Sequence, residues 1–323
     1  MRSLFLLALI ILVGVFGTAF WVLHDYAAPG PLPTNRIVVL PHGESVPTLA
    51  RRLADNDVLA HPLVFIVGLY VTGQYHELKA GEYEFPAGIS PSAAAELLAS
   101  GRVVHHRLTV PEGVTSAEIV ALLKAAPALT GDIGGPPVEG TLLPETYFYV
   151  LGDSRQELLA RMRRAMDAAL RDAWAQRSPH LPFSRPEDAL ILASIVEKEA
   201  RKSEERARIA GVYVNRLRLG MKLQADPTIA YVLSHGGEKP LDRPLSHDDL
   251  AVDSPYNTYL NKGLPPTPIA NPGRAALLAA VQPEPTDDLY FVSDGTGGHN
   301  FARSLDEQDR NIAVLRQQQA APH

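Results

Sequence analysis

Three hydrophobic patterns succeed one another along the chain. The first is unbroken. Residues 3–23 carry no charge and are mostly Leu, Ile, Val, Phe and Ala. At about 1.5 Å per residue such a helix reaches roughly 31 Å, the thickness of one bilayer core. A cleaved signal peptide is the alternative, but the run exceeds the usual apolar stretch of roughly 7–15 residues. Arg2 and the terminal amine precede the run, and His24 and Asp25 follow it. The positive-inside rule then places the N-terminus in the cytoplasm and the rest of the chain outside. Trp21 falls at the outer interface, where indoles are favoured.

The second pattern is short and repeated. After Tyr26–Asn35 (YAAPGPLPTN), whose proline and glycine density predicts an extended linker, Ile37–Leu40 reads as a strand. Pro41-His42-Gly43-Glu44-Ser45 follows, then a helical spacing of Leu49 and Leu53. The same order recurs around Pro86-Ala87-Gly88-Ile89-Ser90 and again around Pro111-Glu112-Gly113-Val114-Thr115. Each copy predicts a strand, a glycine turn, a Ser/Thr N-cap and an amphipathic helix. Thr115 with Glu118 fits a capping box. These copies predict a small α+β module over 36–124.

The third pattern is helical. Ala125–Glu139 is loose and rich in glycine and proline, a candidate boundary; beyond it helices are expected at Gln156–Gln176, Glu187–Lys202 and Arg206–Leu219, the last ending at Gly220. Leu289–Asp294 and His299–Arg303 flank Gly295-Thr296-Gly297-Gly298 and read as a β-hairpin. The expected organisation is therefore α+β, with a transmembrane anchor at 1–25, a linker at 26–35, the small module at 36–124 and a larger, mainly helical domain with a β-hairpin at 138–323.

Composition narrows the function classes. Hydrophobic residues make up 46% and charged residues 20%, as in ordinary globular domains. A net charge of −6 gives no basic footprint for nucleic acid. With no cysteine, disulfides, thiol nucleophiles and cysteine metal sites are all excluded. The histidines show no H-x-x-x-H metal spacing, and Gly295–Gly298 lacks the Lys-Ser/Thr of a phosphate loop, so a hairpin turn is expected there.

The candidate chemistry begins at Ile195-Val196-Glu197-Lys198-Glu199. Leu192, Ile195, Val196 and Glu199 share a helical face at i, i+3, i+4 and i+7, whereas Glu197 lies about 200° from Glu199. Glu199 thus continues an apolar stripe, and Glu197 is expected to face solvent. A carboxyl on an apolar face loses hydration, which raises its pKa toward the range a general acid needs. On spacing alone, a structural glutamate paired with an arginine fits Glu199 equally well. Asn215, Arg216, Gln224 and Asp226 follow within thirty residues and suit a groove floor, or Arg216 and Asp226 are partners of each other. Tyr256, Asn257 and Tyr259 lie in a proline-stiffened loop that offers stacking faces and hydroxyls for sugars, as a binding wall or as an ordinary surface loop. His299 follows the glycine turn and either points into a cleft or is a satisfied structural histidine.

Four motifs in order, ASIVEKEA, VYVNRLRLGMKLQADPT, SPYNTYLNKGLPPTPIANPG and LYFVSDGTGGHNFARS, closely resemble the endolytic murein transglycosylases of the YceG-like (MltG) family over nearly the whole chain. The resemblance implies that the small module is LysM-like and that Glu199, the second glutamate of E-K-E, is the catalytic acid/base. It implies cleavage of nascent peptidoglycan strands between MurNAc and GlcNAc, and on this reading Asn215, Gln224, Asp226, Tyr256, Asn257, Tyr259 and His299 are the expected substrate-binding residues. The muramic C6 hydroxyl would close onto C1 to leave 1,6-anhydro ends, with no cofactor, ending strand elongation. The implied setting is the periplasmic face of the inner membrane, with peptidoglycan synthases as partners. Two rivals stay open: a non-enzymatic glycan-binding scaffold, and a two-carboxylate glycosidase using Glu199 with Asp226.

Overall fold

The computed structural model describes residues 2–320. The chain divides into two compact units, 1–106 with 148–152, and 107–147 with 153–323. In order, the elements are α1 (Arg2–Ala27), β1 (Arg36–Leu40), α2 (Val46–Asp55), α3 (Pro62–Thr72), β2 (Gly81–Phe85), α4 (Pro91–Ser100), β3 (His106–Thr109), α5 (Ser116–Ala125), β4 (Thr146–Tyr149), α6 (Arg155–Ala175), α7 (Pro186–Glu199), α8 (Arg206–Arg218), α9 (Asp226–Leu233), α10 (Arg274–Val281), β5 (Tyr290–Ser293), β6 (His299–Ala302) and α11 (Leu305–Ala320). Among the described residues, the sheets are two-stranded: β1–β2, β3–β4 and β5–β6.

In the first unit, β1 and β2 pair antiparallel from Arg36↔Phe85 to Leu40↔Gly81. Strand alternation turns Val38, Leu40, Tyr83 and Phe85 inward onto Leu49, Leu53, Phe65, Leu69 and Leu98. Gly43 and Gly88 take left-handed backbone (φ 80° and 66°), which a Cβ disfavours, so each turn delivers its helix sharply after the proline. Ser45 and Ser90 accept from the Thr48 and Ala93 amides at 3.4 and 3.2 Å, capping α2 and α4. The linker differs from expectation. Tyr26 and Ala27 remain helical, Leu32 is buried, and Gly30 and Gly88 donate to the carbonyls of Ile89 and Leu32. This proline-rich segment buries Leu32 on the module rather than spacing the module from the membrane.

The third strand–turn–helix copy repeats the local geometry: Gly113 has φ 78°, and Thr115 and Glu118 form the reciprocal capping box. It belongs to the second unit, however, not to a module ending at 124. The loose stretch before Glu139 is no boundary there, because long-range hydrogen bonds hold both its sides. Asn271 is fully buried, and its side chain accepts from the Leu142 amide at 3.0 Å and donates to the Val114 carbonyl at 3.1 Å. The Glu139 carboxyl takes hydrogen bonds from the Ser116 amide, the Ser116 hydroxyl and the Asn271 amide group.

The core of this unit is built around α7. Pro186 at its first turn with Glu187 and Asp188 matches a helix start, and every residue from Ala189 to Val196 is buried. It contacts α6, α8, α9 and α10. Beyond α10, β5 and β6 pair antiparallel from Tyr290↔Ala302 to Ser293↔His299.

Candidate active site

α7 stops three residues earlier than its sequence pattern suggests. Ala200 is extended (φ −77°, ψ 106°), so Glu199 is the last helical residue. Its carboxyl leaves the core at the end of the helix and opens on a cavity of about 260 Å³, which Gln224, Asp226, Tyr259, Phe291 and His299 also line. A groove of about 690 Å³ also includes Glu199 in its lining, with Arg201, Arg243, Leu245, Ser293 and Gly298.

The surroundings of Glu199 set its acidity. Burial pushes its pKa from 4.5 up to about 7, and the Asp226 carboxylate adds in the same direction. The Tyr213 hydroxyl, donating to Oε1 at 2.8 Å, and the Arg216 guanidinium pull the other way without overcoming burial. Tyr213 is itself buried and stands edge-on to Phe291, with ring centroids 5.8 Å apart. Burial and the neighbouring carboxyl hold its phenol well above 10, so it stays a donor. Arg216 is buried and clamped: Nε donates to the Leu289 carbonyl and Nη1 to the Leu223 carbonyl, both at 2.6 Å. It joins α8 to the loop at Leu223 and to the residue just before β5, and it makes no ion pair with Asp226.

Asp226 begins α9 and accepts a short hydrogen bond from the Tyr259 hydroxyl. Gln224 precedes it in left-handed backbone (φ 50°), a conformation that costs a non-glycine residue on the order of 1 kcal/mol. That local cost is met where its side chain must stand at the cavity rim, the kind of place where strain accompanies function. His299 is fixed from behind: Glu205 accepts from its backbone amide at 3.1 Å and contacts Nδ1 at 2.7 Å.

Of the residues the sequence singled out, Glu199, Arg216, Gln224, Asp226, Tyr259 and His299 converge on this cavity. Three do not. Asn215 spends its amide on the Thr286 and Asp288 carbonyls, beside a separate polar cavity on the other side of α8. Asn257 is fully buried, donating to the Leu250 and Val252 carbonyls and accepting from the Tyr259 amide; it shapes the loop. Tyr256 bonds Thr267 and packs on Tyr231. Tyr213, Phe291 and Ser293 line the cavity and Glu205 holds His299, and sequence reasoning singled out none of these side chains. A tyrosine on the buried face of α8 is a usable signal, because a buried phenol needs a partner.

Glu197 is the clearest departure. Its side chain is only 4% exposed rather than solvent-facing. It pairs with Arg206 at 3.1 Å and accepts from the Gly273 amide at 2.8 Å, at the start of α10. The face opposite Glu199 is covered because α7 is a central helix whose residues from Ala189 to Val196 are buried on every side, and Glu197 follows directly on that stretch. The arginine-paired structural glutamate is thus Glu197.

A half-buried carboxyl near pKa 7, held by a phenol at the floor of a polar groove, defines a class of proteins with acid–base chemistry centred on one carboxyl. Comparison gives the family. The YceG-like family model matches residues 38–314, and the chain belongs to that family. It is 31% identical over 303 residues to an endolytic murein transglycosylase of Bacillus subtilis (strain 168), covering 84% of this chain and 82% of the relative. An endolytic murein transglycosylase of Streptococcus pneumoniae (strain D39) is 29% identical over 363 residues, covering 95% of this chain and 63% of the relative. The crystal structure of a YceG-like protein from Listeria monocytogenes aligns with a TM-score of 0.52 at 30% identity, over 86% of this chain and 99% of that one.

Proposed function

We propose that this protein is an endolytic peptidoglycan lytic transglycosylase in which Glu199 is the single acid/base. The observation that carries the reading is the Glu199 carboxyl, raised to about pKa 7 and opening on the cleft. Near neutral pH a large fraction of it is protonated. Tyr213 donates to Oε1, which leaves Oε2 to carry the proton toward substrate.

Glu199 gives its proton to the glycosidic oxygen as the C1–O bond between MurNAc and GlcNAc breaks. The C6 hydroxyl of the same muramic residue then bonds to C1 and loses its proton to the Glu199 carboxylate. The products are a free 4-hydroxyl and a 1,6-anhydro-MurNAc end, and the enzyme regains its starting protonation. Gln224, Asp226, Tyr259 and His299 bind the flanking sugars through their polar edges, and Tyr259 holds the Asp226 carboxylate in place. Release of nascent strands in this way ends their elongation next to the synthases.

A second reading has one observation in its favour: Asp226 lines the same cavity as Glu199. A hydrolase would use the two carboxyls on opposite sides of the bond. Mass analysis of the fragments from purified glycan strands separates the readings. Anhydro ends support the transglycosylase, water-added reducing ends support the hydrolase, and uncut strands would leave a binding scaffold.

The remaining parts fit a tethered enzyme. α1 places an apolar, lipid-compatible helix of 23 residues, Phe5–Ala27, at the N-terminus. We read it as a single inner-membrane span with the N-terminus in the cytoplasm and both units in the periplasm. The segment 36–124 includes the LysM-like module, with a groove beside β2 and α4 lined by Glu84, Ile89 and Arg102 that suits glycan. Every catalytic or binding residue that the sequence singled out falls within 138–323.

A further inference from the structure

The first unit carries apolar side chains that no part of it covers. α3 reads PLVFIVGLYVT and holds no charge. One side supplies Val64, Phe65 and Leu69 to the core. The other presents Leu63, Val67, Tyr70 and Val71, exposed by 75%, 43%, 58% and 72%. Their spacing of i, i+4, i+7 and i+8 is a continuous helical stripe. On a helix surrounded by water this is the stripe that polar residues occupy. At 11 residues, about 16 Å, α3 is too short to cross a bilayer.

What lies next to the stripe identifies its cover. Gly68 presses against the ring of Tyr26 so closely that an added Cβ would come within 2.1 Å of it, which fixes α3 alongside α1. Val67 and Val71 share a groove of about 670 Å³ with Ile11, Val15, Ala19 and Leu23 of α1. Those four recur every four residues along one face of the span, well inside Phe5–Ala27. Lipid around a spanning α1 would therefore meet the α3 valines in the same groove. Aromatic rings mark the borders of the patch: Trp21 meets His61 at 5.4 Å before α3, and Tyr70 meets Tyr75 at 4.7 Å after it. Such rings favour the headgroup level.

We infer that α3 is a second membrane contact: an interfacial helix that beds its Leu63–Val71 stripe in the leaflet from which the unit emerges, with acyl chains filling the groove against α1. The inference rests on α1 being a membrane span. Its consequence is that the first unit is held against the bilayer by two elements, not suspended from one. Burying about half of four such side chains in lipid stabilises the docked state as ordinary apolar burial does.

The chain has no cysteine, so single labels are specific. Full-length Leu63→Cys, Val71→Cys, Phe16→Cys and Leu219→Cys variants would each carry a nitroxide in nanodiscs of phosphatidylethanolamine and phosphatidylglycerol. Collision rates with oxygen, which partitions into lipid, and with a water-soluble nickel chelate would then be measured. Labels at positions 63 and 71 should favour oxygen, as at position 16, whereas position 219 on the second unit favours the nickel chelate. Nickel-accessible labels at 63 and 71, with position 16 still in lipid, would overturn the inference and leave the span intact. Labels shielded from both reagents would mean that protein, such as a second copy, covers the stripe, and would equally overturn it. A nickel-accessible label at position 16 would remove the span reading and the inference with it.

Discussion

Glu197 and Glu199 stand two residues apart on α7 and do different work. Glu199 sits in native surroundings that raise its pKa from 4.5 to about 7. Below pH 4.5 both folded and unfolded chains hold the proton and the shift has no effect. Between 4.5 and about 7 the folded chain binds more protons, so stability falls as pH rises, by up to about 3 kcal/mol in total. Glu199→Gln removes this penalty. Its melting temperature should exceed that of the wild type at pH 8, and the difference should vanish near pH 4; an equal difference at both pH values contradicts the assigned ionisation. Glu197→Gln should behave oppositely. Its carboxylate is buried against Arg206 and the start of α10, and breaking such a pair costs on the order of 3 kcal/mol. Denaturant unfolding should show that loss; a change within about 0.5 kcal/mol would mean the pair is structurally idle. The apolar stripe made Glu199 legible in the sequence. It misjudged Glu197 because a one-sided stripe presumes a helix with a wet side. Ile191, Ala193 and Ser194, which lie off the stripe, are small or apolar enough to have signalled that this part of α7 has none. Asn215 and Asn257 illustrate another limit: an asparagine's sequence announces hydrogen-bonding capacity, not whether backbone carbonyls already consume it.

At the scale of elements, the proline–glycine turns were readable because their chemistry is local. Left-handed glycine and a hydroxyl cap act within five residues, and all three copies form as their sequences indicate. Which unit a copy joins depends on contacts far along the chain, and no local pattern records them. Asn271 makes the dependence concrete, since it ties the segment after β3 and the segment before β4 to the loop that leads into α10. Asn271→Ala would leave the Leu142 amide and the Glu139 carboxyl short of partners in a buried site, a cost of about 1–3 kcal/mol for each such group. We expect a drop in the denaturant midpoint with an unchanged slope. A midpoint equal to that of the wild type would show that α5 belongs to the second unit without this linkage mattering.

For the whole molecule, the hydrophobic run at the N-terminus is the feature most directly read from sequence: α1 is a single helix whose apolar side chains lie exposed. The helix does not end at the edge of the run but continues into the packed contact of Tyr26 with Gly68, which favours an anchor that is kept over a peptide that is cleaved. A reporter enzyme that folds only in the periplasm, fused at the C-terminus, should be active, and the protein should retain residues 2–27 in the membrane fraction. Activity from a cytoplasm-restricted reporter would reverse the orientation. The small apolar helix α3 was not legible, because a charge-free stretch of 11 residues reads equally as a core helix, and only its position beside α1 separates the two.

The account turns on one carboxyl, and one comparison tests it. Wild type and Glu199→Gln should be incubated with the same purified glycan strands at neutral pH and the products resolved by mass, with melting temperature as the control for folding. Loss of a general acid costs on the order of 10²–10⁴-fold, and the upper end is expected where no second carboxyl takes over. The wild type should yield 1,6-anhydro-MurNAc ends and the folded variant nearly none. A folded Glu199→Gln protein that cuts strands at close to the wild-type rate would contradict the account.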